Sequence, residues 1–123
     1  MAIYRKKDLK RLDAKMSLFS IAENVVFLSG QVAEKTRLKG TEDQTLEVLE
    51  IIEGILKSAG SSRTSILHAT IHLTNGASFD DMNKAWNKFI GDGHEPSRTT
   101  VQAELYAPNC LIEITVIASC ILD

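Results

Sequence analysis

Two charged side chains stand in β-favouring runs, and both are of a type that acts on small anions. Arg98 opens Arg98-Thr99-Thr100-Val101 just after Pro96. A guanidinium fixed on a strand presents a planar fork that holds a carboxylate by two parallel hydrogen bonds. Glu113 interrupts the apolar run Leu111-Ile112-Glu113-Ile114. A carboxylate buried there and not fully paired could exchange a proton or position a water. The plainer alternatives are a salt bridge for Arg98 and, for Glu113, a lysine or arginine partner on a neighbouring subunit.

Other reactive side chains offer less. His68 and His72 are four apart, but on a strand that spacing separates them by roughly 13 Å, too far for one ion. No metal site is expected. Ser29 beside Gly30 has neither a base nor an orienting acid placed near it by sequence, so a hydrolase triad is unsupported. Cys110 and Cys120 have no metal-like spacing and read as reduced thiols. With no glycine-rich phosphate loop or dinucleotide fingerprint, no cofactor is expected.

The elements that must carry Arg98 and Glu113 follow from periodicity. Ser17 to Gln31 predicts two strands about a turn at Glu23-Asn24, and residues 31–40 a polar surface loop. Leu46, Leu49, Ile52, Ile55 and Leu56 recur at helical spacing, with Thr41-Glu42-Asp43-Gln44 matching a capping box and Gly60 closing the end. Ser65 to Leu73 alternates as a half-buried strand. Ser78 with Asp81 caps a second helix bearing Met82, Trp86, Phe89 and Ile90. Two further strands, with Thr99, Val101, Ala103 and Leu105 on the inner side of the first and Ile112, Ile114, Val116 and Ala118 on that of the second, are expected to form a hairpin about Ala107-Pro108-Asn109.

This order gives an α+β domain spanning residues 1–123, with two helices packed on one face of a sheet. The opposite face would carry His68, Thr70 and His72, then Arg98, Thr100 and Gln102, then Glu113, Thr115 and Ile117. That mixture is too apolar to face only water and too polar for a dry core, so self-association in a closed symmetric oligomer is expected. In the expected hairpin Glu113 lies opposite Glu104 and Arg98 lies about six residues on, roughly 20 Å away. The two would then act together only across a subunit interface.

Composition narrows the function classes. With 44% hydrophobic and 24% charged residues the chain reads as folded and water-soluble. Charges interrupt the N-terminal segment Met1 to Asp8, and no run is long enough to cross a bilayer, so a cytoplasmic location without membrane partners is expected. The net charge of −2 gives no global attraction to nucleic acid, and the cluster Arg5, Lys6, Lys7, Lys10 and Arg11 reads as a solvated surface.

In order and spacing, Phe27-Leu28-Ser29-Gly30-Gln31, Thr70-Ile71-His72-Leu73-Thr74 with Phe79-Asp80-Asp81-Met82-Asn83, Arg98-Thr99-Thr100-Val101 and Ile112-Glu113-Ile114 resemble the RidA/YjgF family from about Ser17 to Ser119. The resemblance implies a chorismate-mutase-like two-layer fold and a homotrimer with three small-carboxylate clefts between subunits. In deaminating members an arginine at the place of Arg98 holds the carboxylate of a 2-imino acid. Water then releases a 2-keto acid and ammonia, and the carboxylate at the place of Glu113 handles that water. Gly30, Asn83 and the Thr100 backbone would line the cleft. The chain departs from the pattern where deaminating members carry a Gly-Pro-Tyr-Ser type motif. Lys15-Met16-Ser17-Leu18 leaves the cleft tyrosine without a counterpart, and Thr100 replaces a small cysteine or serine. An imine deaminase, a non-catalytic carboxylate-binding trimer and, third, an endoribonuclease or translation inhibitor are the readings that follow.

Overall fold

The computed structural model describes residues 1–121. Seven strands form one mixed sheet: β1 Tyr4–Lys7, β2 Ser17–Ala22, β3 Val25–Leu28, β4 Gln31–Val32, β5 Ile66–Leu73, β6 Ser97–Gln102 and β7 Ile112–Ser119. Their order is β1-β2-β3-β7-β5-β6, with β4 also paired to β7. The helices α1 Thr41–Ser58 and α2 Phe79–Ile90 cover one face, giving the expected α+β architecture of two helices on a mixed sheet. Among the described residues no helix is long and apolar enough to cross a membrane.

Several elements form as their local chemistry dictates. Glu23 and Asn24 both take positive φ, 51° and 62°, the conformation that joins β2 to β3 in a tight hairpin. Helix α1 buries Val48, Leu49, Ile52 and Leu56, and a side chain of this kind taken fully from water contributes about 1.5–3 kcal/mol. Its end is a Schellman motif: Ser61 N–H donates to Leu56 O and Gly60 N–H to Lys57 O, with Gly60 at φ +75°. The Ser78 hydroxyl accepts from Asp81 N–H and starts α2.

The start of α1 differs from the expected capping box. Gly40 is the N-cap, and no side chain caps it. The Thr41 hydroxyl instead accepts from Ser78 N–H, tying the two helix starts together. Gln44, wholly buried, turns away from the helix end to bind neighbouring loops. Two strands absent from the sequence reading also appear. The lysine-rich β1 pairs along β2, and such a charged edge resists pairing with other chains. The segment β4 pairs with Glu113 and Ile114 of β7.

The last two strands are not a hairpin. β5 lies between β6 and β7, parallel to the first and antiparallel to the second. Strand β5, helix α2 and strand β6 make a β-α-β crossover, whose parallel pairing needs a helix-length connection. β5 buries Ile66, Ala69, Ile71 and Leu73 and takes the interior position, so residues 103–111 must carry the chain past it to β7.

Candidate functional site

The register fixes which side chains share a face. On the side away from the helices, Phe27, Ile117, His68 and Ser97 form one row, Thr115, Thr70 and Thr99 a second, and Glu113, His72 and Val101 a third. Most of these side chains are half-buried, and this is the semi-polar open face expected from β5 and β7. β6 joins it with the opposite phase from that expected. Arg98 pairs with Ala69 and Thr100 with Ile71, which places both on the helix side and puts Thr99 and Val101 on the open face. Alternation shows which residues of a strand share a face, but for an edge strand it does not say which face that is.

Arg98 therefore packs against α2. Its guanidinium carbon lies 5.4 Å from the Trp86 ring centroid and 5.9 Å from that of Phe79, and one amino nitrogen is 4.0 Å from the Met82 sulfur. Asn83 lies one turn beyond Phe79 on the same helix. Among the described residues no carboxylate lies within 4 Å of Arg98. Burial lowers the affinity of this group for its proton, yet an arginine stays charged. The result is a half-buried cation resting on aromatic faces, with its donors unclaimed by any acid among the described residues.

Glu113 stands two strands away, roughly 10 Å across the sheet, and points to the other face. The two groups do not meet within one chain. That separation was expected, although the hairpin arithmetic behind it is replaced by opposite faces of a three-strand segment. What Glu113 does meet is Gly30. A Cβ added at Gly30 would lie 2.9 Å from the Glu113 Cδ, 3.1 Å from its Cγ and 3.0 Å from the Thr115 hydroxyl oxygen. The missing side chain at the break between β3 and β4 is thus the space the Glu113 carboxylate occupies. Because that carboxylate is the far end of a flexible side chain, Gly30→Ala should re-aim it at little cost in stability. We expect the melting temperature to move by no more than a few degrees while any turnover that depends on the Glu113 carboxylate falls about 10–100-fold, checked by thermal unfolding and kinetics together.

Both residues line a cleft of about 580 Å³, bordered by β1, the turn at Leu9–Arg11, the loop after β4, and Leu105 to Pro108. Its apolar side includes Leu18, Ile51 and Ile55, and Met16 stands at its rim. Arg98, Thr100 and Asn83 are not part of it. Of the five residues singled out, the chain brings Glu113 and Gly30 together on one side and gathers Arg98, Thr100 and Asn83 near α2 on the other.

Two residues set this geometry through contacts that no local pattern in the sequence marks. The Glu47 carboxylate accepts from the backbone amides of Glu34, Lys35 and Thr36 at 2.8–3.0 Å and from the Thr36 hydroxyl at 2.7 Å. Burial alone would raise its pKa, but these four donors together outweigh burial and hold it at about 2. A carboxyl held below its unfolded value of 4.5 stabilises the fold above that pH, and the contribution is lost as pH falls toward 2. Glu47→Gln should cost about 1–2 kcal/mol at neutral pH, discounted for partial exposure, with the gap from wild type closing between roughly pH 5 and 2 in denaturant titrations. The other residue is Gln44. Its amide nitrogen donates to the carbonyls of Arg37, Lys39 and Asn109, and its oxygen accepts from Leu111 N–H.

The other reactive side chains singled out do not line the cleft. His68 Nδ1 lies 2.8 Å from the Ser97 hydroxyl, and His72 Nδ1 is buried without a partner. Among the described residues no three His, Cys, Asp or Glu side chains are grouped to hold a metal. Cys110 and Cys120 are buried free thiols, and burial pushes both up, away from the reactive thiolate.

Comparison with known proteins gives the family and the fold. The family described as Endoribonuclease L-PSP matches residues 13–120. A RutC family protein of Haemophilus influenzae is 37% identical over 107 residues, covering 87% of this chain and 92% of that one. The Reactive Intermediate Deaminase A, chloroplastic, of Arabidopsis thaliana is 35% identical over 103 residues, covering 80% of this chain and 54% of the other. Among solved structures, a YjgF family member from Neisseria meningitidis superposes with a TM-score of 0.88 at 29% identity, covering 100% of this chain and 98% of that one. With the family's pattern running from the first hairpin to the end of β7 and the fold matched along its whole length, the chain belongs to the RidA/YjgF family, also called RutC.

Proposed function

We propose that this protein hydrolyses reactive enamine and imine intermediates to 2-keto acids and ammonia, as a cytoplasmic homotrimer of one RidA-like domain with its sites between subunits. The observation that carries this reading is the Arg98 guanidinium on Trp86 and Phe79, an anion receptor with no carboxylate partner among the described residues. Glu113 faces the opposite way, so a second subunit is needed to complete the pair. The half-buried, semi-polar open face supports contact with another copy. The free thiols of Cys110 and Cys120 suit a reducing compartment.

In this reading Arg98 binds the substrate carboxylate, and Thr100 and Asn83 border that end of the cleft. Gly30 leaves room for Glu113 on the other subunit. Glu113 takes a proton from water as its oxygen adds to the imine carbon and passes it to the imine nitrogen, giving a carbinolamine. It then takes the carbinolamine hydroxyl proton and delivers it to the same nitrogen as the carbon–nitrogen bond breaks, so that ammonia leaves and the 2-keto acid remains. No cofactor is required. A relative named as a reactive intermediate deaminase supports the reaction class.

The stretch Lys15-Met16-Ser17-Leu18, which offers no counterpart to the cleft tyrosine of deaminating members, favours a second reading. In it the same trimer binds small carboxylates without turnover. The two separate in one assay: ammonia release from 2-aminoacrylate and other imino acids generated in situ by an amino-acid oxidase, with solution mass measured by light scattering. Acceleration by a species of three 13.6 kDa chains supports the deaminase. Saturable binding without acceleration leaves the binding protein, and a monomer that binds ligand overturns both.

A further inference from the structure

The cleft beside Glu113 holds more positive charge than a single substrate carboxylate requires. Lys6, Lys7, Lys10, Arg11 and Arg37 line it, against only Asp8, Glu34 and Glu113. This local excess occurs in a chain whose formal net charge is −2. Two of the three acids are already engaged. Lys10 pairs with Glu34 at 3.5 Å, and Asp8 accepts from the Lys10 backbone amide at 3.0 Å. Among the described residues Lys6, Lys7, Arg11 and Arg37 have no carboxylate within 4 Å.

This wall is built by the fold. The register of β1 on β2 slips between Lys6 and Lys7, and both line the cleft, whereas a regular strand would send consecutive side chains to opposite faces. The turn carrying Arg11 is fixed by Asp8, which is 7% exposed, and Arg11 N–H donates to Asp8 O. Arg37 is held by its own Nε, which donates to Ala33 O at 3.1 Å, on the loop that Glu47 secures. A space of about 580 Å³ is also far larger than a three- or four-carbon imino acid fills.

We propose that the basic wall formed by Lys6, Lys7, Arg11 and Arg37 is a second anion subsite, selecting imino acids or 2-keto acids whose side chain ends in another carboxylate. The assignment rests on the proposed site, in which Arg98 of a neighbouring subunit holds the first carboxylate. The side-chain carboxylate reaches past Glu113 to the cations of the N-terminal segment, so specificity is set by charge at the far end of the cleft.

The test is calorimetric binding to the full-length protein at low salt, using 2-oxoglutarate and 2-oxobutanoate as probes that differ in the second carboxylate. Wild type should prefer 2-oxoglutarate by roughly tenfold or more, and the ratio should collapse toward one in Lys7→Gln/Arg11→Gln. Both positions are exposed, so that variant should fold, as circular dichroism would verify. Equal affinities in wild type, or a preference that survives the double substitution, would overturn the subsite while leaving the Arg98 site standing. Failure of both keto acids to bind overturns the Arg98 reading itself. Tighter binding of single-stranded RNA than of either acid would assign the basic wall to nucleic acid instead.

Discussion

Arg98→Ala is expected to abolish carboxylate binding and, with it, ammonia release from 2-imino acids. A bidentate, charge-assisted pair in a half-buried site resting on Trp86 and Phe79 is worth more than a surface ion pair, and removing it should cost about 3–4 kcal/mol of binding, or roughly 10²–10³-fold in kcat/KM. Stability should fall much less, by about 1 kcal/mol, because only the packing of the arginine stem on α2 is lost. Arg98→Lys keeps the charge but not the planar fork, so it should recover only part of the binding. The decisive comparison is kcat/KM for imino acids and direct titration with 2-oxobutanoate in all three proteins. Turnover undiminished in Arg98→Ala would remove this residue from the site.

The largest stability effect is expected at Gln44. Its side chain, 0% exposed, satisfies the carbonyls of Arg37, Lys39 and Asn109 and the amide of Leu111. Gln44→Leu conserves volume and opens no large cavity, so the cost is that of four backbone groups losing their partner, partly relieved where the loop carbonyls turn to water. We expect about 3–5 kcal/mol and a melting temperature lower by on the order of 10–20 °C. The loops released are those that carry Arg37 and Leu105 to Pro108 to the cleft, so ligand affinity should weaken as well. A loss under about 1 kcal/mol in chemical denaturation would show that water replaces the side chain without penalty.

Gln44 also illustrates what local reading of the chain misses. Its place three residues after Thr41 matches a capping box, and nothing in the sequence distinguishes a glutamine that reaches back to its own helix from one that reaches across to residue 109. Glu47 is similar: its partners lie 11–13 residues upstream, beyond any periodicity rule. The turn at Leu9–Arg11 and strand β1 were hidden for another reason. A lysine-rich edge strand has no buried face, so no alternation marks it.

By itself the sequence determined whatever depends on local chemistry and period. Both helices, the hairpin at Glu23-Asn24, the Gly60 stop, the Ser78 cap and the buried faces of β5 and β7 follow from spacing and turn residues. So does the prominence of Arg98 and Glu113 as charges within β-favouring runs. Only the tertiary structure decided where those two charges go. The choice of β5 rather than β6 as the neighbour of β7 is made by pairing between distant segments, for which adjacent residues carry no signal. That choice turns Arg98 onto the aromatic face of α2 and leaves Glu113 against Gly30 on the opposite side of the sheet.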